Sequence, residues 1–397
     1  MKKINNYLKI YLLILLSFSY FFLYMKHQVI NDSTISEWLI NYEGGFTKRG
    51  LTGQIAVELS RFFETNLRLV ILLLQSLVYT LYFFLLHKLL KNLKNNRIVL
   101  LSIFTPIFIL YPVAEIEVLA RKEIIVFLIL LVYFLIPRNS RFKSTSFIIF
   151  TSLVMLIWEP IIFFFPLILI YEIIDNNIKK FDFRLLKIFI FFIPSIFIAL
   201  IIIINPLTKD EHELMVSVLN SEFGQTCYMS CGLLSSKSTI IQQFEGNFDR
   251  YSLEVFVRYI LIILIGSYPL ITLIKNSSLK NNKFYLIKYL KNPLNIFFIC
   301  QLPVIFLFAM GLDWGRWVNI MYVILALIYF KLLKDNHINL DYEKLNNTFF
   351  YKIKFKTFIV FFVIFCFSWN PKTVITGDVA SFPGYRIPYK VFKIITN

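Results

Sequence analysis

Residues 146–171 read SFIIFTSLVMLIWEPIIFFFPLILIY, and the interpretation of this run decides the fold of the chain. A helix that crosses a membrane needs about 20 apolar residues, so the run is too long for one ordinary crossing. Trp158, Glu159 and Pro160 stand in its middle. The run therefore either crosses once as a long helix or forms a hairpin of two short helices that turns at Glu159-Pro160.

The rest of the chain has the composition of a membrane protein. Of its 397 residues, 58% are hydrophobic and 16% are charged, whereas a soluble domain has about half and a quarter. This composition, with 44 Phe, excludes a disordered chain, a fibrous repeat and a basic nucleic-acid-binding domain. Since no polar stretch is long enough to form a soluble domain, we expect one transmembrane domain over residues 1–397, of the all-α class.

Apolar runs on both sides of residues 146–171 predict further membrane helices. They cover residues 6–25, 67–86, 98–111, 124–136, 188–204, 255–274, 296–312, 318–333 and 357–369. The first run follows Lys2 and Lys3, but it is too long for a removed signal peptide and no cleavage site follows it. We therefore expect a retained anchor.

The basic loops favour the hairpin. Lys and Arg in short loops stay on the cytoplasmic side of a membrane. The strongly basic loops are 88–97, 137–145, 173–187, 275–292 and 331–356. A hairpin places all of them inside, whereas a single crossing would place the last two outside. We therefore predict about eleven membrane helices, with the N-terminus inside and the C-terminus outside. The net charge of +17 then belongs mostly to the inner face, and the outer segments are loops 26–66 and 205–254 and the tail 370–397.

The first outer loop contains the segment Glu43–Gly53, EGGFTKRGLTG. Paired glycines allow backbone N–H groups to face an anion, and the planar fork of Arg49 suits a diphosphate. We predict that Lys48 and Arg49 bind a diphosphate and that Glu43 is a candidate base. The alternative is a glycine-rich turn whose two cations extend to lipid headgroups.

Three further groups of charged residues precede or separate the predicted spans. Arg121 lies in the segment Glu115–Glu123, and Asp313 and Arg316 lie in the short loop GLDWGRW. Arg250 and Arg258 approach the membrane at the end of the long loop. We predict that these arginines contact diphosphate and that Asp313 is a second candidate base, although Asp313 and Arg316 also have the spacing of an ion pair.

Glu159 is the third candidate base. A carboxylate between two apolar helices is costly and is therefore a functional candidate. It also stands at the start of a helix beside Pro160, where it would stabilise the helix without any chemistry. In loop 205–254, Cys227 and Cys231 predict a local disulfide, because a metal site would need more ligands.

The charged residues gather at one end of nearly uncharged spans, which favours an enzyme that acts on a lipid-anchored substrate. The chain resembles the bacterial O-antigen (polysaccharide repeat-unit) polymerases of the Wzy type, which are membrane glycosyltransferases. The resemblance lies in the topology and in the segments Glu43–Gly53, Arg121-Lys122-Glu123 and Asp313-Trp314-Gly315-Arg316.

The resemblance implies a polymerase that joins undecaprenyl-diphosphate-linked repeat units on the periplasmic face of the bacterial inner membrane. It implies no metal and no cofactor, contact with membrane lipid, and a chain-length regulator protein as partner. One alternative is a glycosyltransferase that uses a polyprenyl-monophosphate sugar, with Glu37 and Glu43 as an acidic pair that could hold a divalent metal. Another is a lipid-linked oligosaccharide flippase, which is expected to have two related halves that the sequence does not show.

Overall fold

The computed structural model describes residues 5–178, 180–235, 240–280, 292–375 and 386–396. These residues are mostly helical, and their only strands are Ser277–Leu279 (β1) and Ile338–Leu340 (β2), which pair antiparallel. The α-helices are α1 Asn5–His27, α2 Ser33–Ser36, α3 Gly50–Phe62, α4 Leu67–Leu90, α5 Arg97–Phe104, α6 Tyr111–Ala114, α7 Ile116–Leu119, α8 Glu123–Leu135, α9 Lys143–Ile157, α10 Phe165–Asp175, α11 Phe183–Ile204, α12 Lys209–Phe223, α13 Ile240–Phe248, α14 Leu253–Lys275, α15 Pro293–Gln301, α16 Ile305–Met310, α17 Trp314–Lys334, α18 Tyr342–Asn346, α19 Phe349–Lys352, α20 Phe355–Phe367 and α21 Arg386–Thr396. Short 3₁₀ helices cover Glu37–Leu39, Glu159–Phe164, Gly232–Ser235 and Leu302–Val304. The predicted all-α class is confirmed.

Six helical segments within the described residues are long and apolar enough to cross a membrane. They are α1, α4, α11, α14, the segment Pro293–Met310 and α17. The helices α8, α9 and α20 are apolar but shorter. The protein is therefore a membrane-embedded helical protein, whereas the count of about eleven spans and the orientation remain predictions.

The run that decides the fold is broken at its centre. Helix α9 ends at Ile157, Trp158 is extended, and Glu159–Phe164 forms a 3₁₀ helix before α10 begins. The far ends of the run lie close together, because the Lys143 ammonium group is 5.8 Å from the ring centre of Tyr171. The chain thus reverses between α9 and α10, and Glu159 lies where it turns.

The apolar run 98–111, which the sequence predicts as one helix, is also broken. Helix α5 ends at Phe104, and Pro106 follows. Its interruption leaves backbone carbonyls without helical partners, which is costly where no water is present. The side-chain amide of Asn319, in α17, donates to the carbonyls of Ile107 and Phe108 at 2.9 and 3.0 Å. This contact explains a buried polar residue inside an apolar helix.

Two predicted outer loops pack against each other at the end of the helix assembly that holds Glu37, Arg49 and Arg316, which we call the charged face. Ser36 Oγ donates to the carbonyl of Tyr228, and Ser230 Oγ donates to that of Ser33 at 2.8 Å. The chain after α20 returns to the same face. The amide of Gly315 donates to the carbonyl of Thr373 at 3.2 Å. Positions 376–385 of the predicted tail lie outside the described residues.

The glycines of the first outer loop allow close packing. A Cβ added at Gly53 would lie 1.9 Å from the Ile40 carbonyl oxygen, and one at Gly44 would lie 1.8 Å from that of Glu211. Real Cβ atoms do not approach backbone this closely. The requirement for glycine therefore has a packing cause at these two positions, and the predicted anion-binding turn is not needed to explain it.

Gly53→Ala should lower the free energy of unfolding by about 1–3 kcal/mol, because the added methyl group would displace the backbone at Ile40. Thermal unfolding of the purified protein in detergent measures the change. Gly246→Ala is the matched control, since nothing lies within 4 Å of a Cβ added there. Equal melting temperatures for the Gly53 variant and the wild type would contradict the packing role.

Candidate active site

Arg49 lies at the centre of a group of ionised side chains on the charged face. Its Nε and Nη2 donate to the two carboxylate oxygens of Glu159, each at 2.8 Å, and its Nη1 donates to Glu37 at 3.3 Å. Arg121 Nη1 donates to the other Glu37 oxygen at 3.2 Å. Lys122 Nζ donates to the backbone carbonyl of Arg49 at 2.5 Å. We call these five residues the Arg49 cluster.

Local backbone structure directs the side chains of the Arg49 cluster toward one another. Arg49 has a positive φ of 62°, a left-handed conformation that is uncommon for a residue with a side chain. The ammonium group of Lys122 holds its carbonyl in that position. Glu37 begins a 3₁₀ helix that Trp38 fixes by donating from Nε1 to the carbonyl of Ala120 at 2.6 Å. Four separate chain segments thus meet at Arg49.

A second group, the Arg316 cluster, consists of Arg316, Glu123 and Asp313. Arg316 Nε donates to Glu123 at 2.5 Å, and Nη1 donates to Asp313 at 2.8 Å. The side chains of Arg316 and Glu123 are each only 3% exposed. The rings of Trp158 and Trp317, 6.2 Å apart, join this group to the Arg49 cluster. The predicted Asp313–Arg316 pair is present in the structure.

The two clusters contain equal numbers of basic and acidic side chains. They contain the cations Arg49, Arg121, Lys122 and Arg316 and the carboxylates Glu37, Glu159, Glu123 and Asp313. The predicted diphosphate-binding residues Arg49, Arg121 and Arg316 therefore already have carboxylate partners. An anionic ligand would have to replace a carboxylate on an arginine.

Burial and the arginines act in opposite directions on the carboxylates of the Arg49 cluster. Burial alone would raise the pKa of Glu37, but the positive charges of Arg49 and Arg121 outweigh it and lower the pKa to about 2. The pKa of Glu159 is also lowered, because Arg49 outweighs the effect of burial. Both carboxylates are ionised at neutral pH. Burial lowers the pKa of Lys122 to about 7.

The Arg49–Glu159 pair is the accessible part of its cluster. The side chains of Arg49 and Glu159 are 22% and 23% exposed, whereas that of Glu37 is fully buried. Asp313 is 26% exposed at the edge of the other cluster, and Lys48 is exposed beside Arg49. A phosphate group that bound Arg49 could displace Glu159, which would then be free to act as a base.

Three other predicted site residues have partners or positions outside the two clusters. The Glu43 carboxylate accepts hydrogen bonds from Arg61 at 2.8 and 3.1 Å. Arg258 donates to the carbonyl of Ile375 at 3.3 Å, so it binds the returning tail. Arg250 is exposed at the end of the long loop. Glu43 thus lies outside the group that contains Glu159, and the predicted contacts of Arg250 and Arg258 with a diphosphate stay predictions.

The two carboxylates of the alternative glycosyltransferase hypothesis have different arginine partners. Glu37 binds Arg49 and Arg121, while Glu43 binds Arg61. Each carboxylate thus has an arginine partner, and the role of the two as an acidic pair stays a prediction.

The long loop contains the predicted disulfide. Cys227 and Cys231 are bonded, with their Cα atoms 5.2 Å apart. His212 Nε2 donates to the carbonyl of Cys231 at 3.2 Å, which fixes the disulfide against α12. These contacts indicate a structural element of the loop.

Sequence reasoning missed three members of the clusters as site residues. Glu37 was considered only for the acidic pair, and Lys122 and Glu123 only as parts of a charged segment. The segment Arg121-Lys122-Glu123 carries a signal, because its three consecutive charges stand directly before an apolar run. The sequence did not show that Glu123 pairs with Arg316.

No family model, no curated protein and no solved structure matches this chain.

Proposed function

We propose that this protein is a membrane glycosyltransferase that polymerises oligosaccharide repeat units carried on undecaprenyl diphosphate, in O-antigen or capsule synthesis. The observation that carries the proposal is the Arg49–Glu159 pair. The pair combines a guanidinium group, which suits phosphate because it can donate two parallel hydrogen bonds, with a carboxylate. It is accessible at one end of an apolar helix assembly. A substrate with a lipid tail, a diphosphate and a sugar would present matching chemistry to this end.

The proposal includes an orientation. About eleven spans would place the N-terminus in the cytoplasm and the C-terminus in the periplasm, with the charged face on the periplasmic side of the inner membrane. The distribution of Lys and Arg supports this arrangement, because the basic loops then all face inward. A lipid-linked donor would reach the Arg49 cluster from the outer leaflet.

The reaction would proceed by displacement at the anomeric carbon. A hydroxyl oxygen of the acceptor repeat unit attacks that carbon, and the carbon–oxygen bond to the diphosphate breaks. Polyprenyl diphosphate leaves with the electron pair, and Arg49 stabilises its charge. Glu159, displaced from Arg49 by the phosphate, accepts the hydroxyl proton.

Purified full-length protein and undecaprenyl-diphosphate-linked repeat units test this function. A ladder of products that each grow by one repeat unit is expected, with release of undecaprenyl diphosphate. The same ladder is expected with a chelator present, because both clusters are neutralised by arginine and lysine. Absence of any chain growth, or transport of intact substrate across a vesicle membrane, would reject the polymerase.

Reporter fusions test the orientation. A fluorescent protein fused after residue 180 should fluoresce in the cytoplasm, since the turn at Glu159-Pro160 returns the chain to the inner side. Alkaline phosphatase fused after residue 230, in the long loop, should be active in the periplasm. Phosphatase activity from a fusion after residue 180 would show that every later segment has the opposite orientation to the one proposed.

A further inference from the structure

An apolar groove runs along the outside of the helix assembly between α14, the segment Pro293–Met310 and α17. Its volume is about 390 Å³. Its walls include Phe256, Ile263, Ile271, Phe297 and Leu325. Pro303 interrupts the segment Pro293–Met310 with a 3₁₀ turn, and Pro269 lies inside α14. The interrupted segment Pro293–Met310 and the continuous helix α14 leave a gap over α17.

The groove has the length of the whole hydrocarbon layer. On α14 its lining runs from Phe256 to Ile274, which at a rise of ~1.5 Å per residue is about 27 Å. The hydrocarbon core of a bilayer is about 30 Å thick, so one phospholipid acyl chain covers about half of that depth. A longer linear hydrocarbon fits the groove better than an acyl chain does.

The groove is open toward the lipid and closed toward the protein. Ile260, Leu264 and Phe298 on its walls are 52%, 54% and 64% exposed. Tyr322 on its floor is 1% exposed. A chain dissolved in the bilayer could therefore enter from the side along its entire length, without a passage through the charged face.

One end of the groove reaches the candidate site. Trp314 lines the groove and directly follows Asp313, whose carboxylate accepts a hydrogen bond from Arg316 at 2.8 Å. Trp314 is held there because its Nε1 donates to the carbonyl of Phe308 at 2.7 Å. Trp317, which follows Arg316 in the chain, contacts Trp158, which precedes Glu159. A lipid headgroup at the Trp314 end of the groove would thus contact the ionised clusters.

We propose that this groove binds the isoprenoid chain of the lipid-linked substrate, with the diphosphate at the Trp314 end. This inference rests on the proposed function, and it adds a binding site for the lipid that the two charged clusters do not supply. The occupant is a linear polyisoprenoid, which is long enough to follow the groove across both leaflets.

Photo-crosslinking of the full-length protein in nanodiscs tests the groove. The probe is undecaprenyl phosphate with a diazirine in its chain, and crosslinked peptides are identified by mass spectrometry. Labelling of α14, Pro293–Met310 or α17 is expected, and excess undecaprenyl phosphate should suppress it. Equal suppression by phosphatidylglycerol would show that the groove takes ordinary lipid and would overturn the proposal.

Leu264→Trp and Leu200→Trp form a matched pair of variants. Both leucines are about half exposed, at 54% and 48%, but Leu200 on α11 lies outside the groove. Leu264→Trp should reduce labelling about tenfold, which corresponds to ~1.4 kcal/mol of lost contact. Leu200→Trp should leave labelling unchanged, and an equal loss in both variants would overturn the groove site.

The outcome for the groove is separable from that for the polymerase. Specific labelling of the groove by a protein that forms no polymer would support the lipid site and reject the proposed function. Normal polymerisation by Leu264→Trp, with unchanged labelling, would reject the groove and leave the function in place.

Discussion

Arg49→Ala should lower repeat-unit polymerisation by about 100-fold or more while the protein still accumulates in the membrane. The guanidinium group is the accessible cation of its cluster and forms two hydrogen bonds with Glu159. Its loss removes the proposed contact with the leaving diphosphate. Glu37 keeps its bond to Arg121, and Glu159 is partly exposed to water, so the fold should tolerate the change. Polymer length in cells and turnover by purified protein measure the effect.

Two further variants make this test specific. Glu159→Gln preserves the size of the side chain but removes the base, so polymerisation should fall to a similar extent. Arg61→Ala also removes one positive charge from the charged face, and Arg61 likewise has carboxylate partners, namely Glu43, Glu58 and Glu222. Activity should change little in that control. Normal chain lengths in both Arg49→Ala and Glu159→Gln would eliminate the proposed roles of the pair.

Arg316→Ala should lower the free energy of unfolding by about 3–5 kcal/mol, because it leaves the buried carboxylate of Glu123 without a counter-charge. Both side chains are only 3% exposed, so water cannot replace the lost contact. The expected phenotype is a large fall in the amount of membrane-inserted protein. Thermal unfolding in detergent and quantitative immunoblots measure these effects separately from activity.

Neutralising both partners should recover part of this loss. The double variant Arg316→Met, Glu123→Gln leaves no buried carboxylate without a counter-charge, because the remaining carboxylate, Asp313, is 26% exposed, so it should be more stable than Arg316→Ala. Arg184→Ala is a control for a surface ion pair, since Arg184 is 65% exposed and its pair with Asp182 contributes at most about 1 kcal/mol. A melting temperature for Arg316→Ala equal to that of Arg184→Ala would refute the buried-pair argument.

Local features of the fold were predictable from the sequence. The apolar runs identify the long helices, and the Glu159-Pro160 dipeptide identifies the break between α9 and α10. Asp313 and Arg316 are three residues apart, so the start of one helix brings them together. Each of these features depends on residues that are close in the chain.

Pairing between distant segments was not predictable. Arg49 and Glu159 are separated by 110 residues, and nothing in either local sequence specifies the other. The sequence therefore indicated several independent arginine and carboxylate sites where the structure forms two compensated clusters. The same limit applies to Gly53. Only glycine fits at this position, because the carbonyl of Ile40 in a neighbouring segment lies where a side chain would begin.

A buried polar residue inside a span can also mislead sequence reasoning. Such a residue is a functional candidate by default, yet Asn319 donates to two carbonyls that the end of α5 leaves unpaired. The reason for its presence lies in the backbone of another helix. The apolar run 98–111 gave little indication of that break apart from Pro106.

The two clusters also differ in when they can form during synthesis. All members of the Arg49 cluster have been translated once Glu159 has been added, whereas Glu123 and Arg316 are 193 residues apart. At a translation rate of roughly 5–20 residues per second, Arg316 is added about 10–40 s after Glu123. During this interval Glu123 has no counter-charge, although its own helix is already available for insertion. The order of synthesis therefore allows the accessible pair to form early, whereas the buried pair can form only after Arg316 has been added.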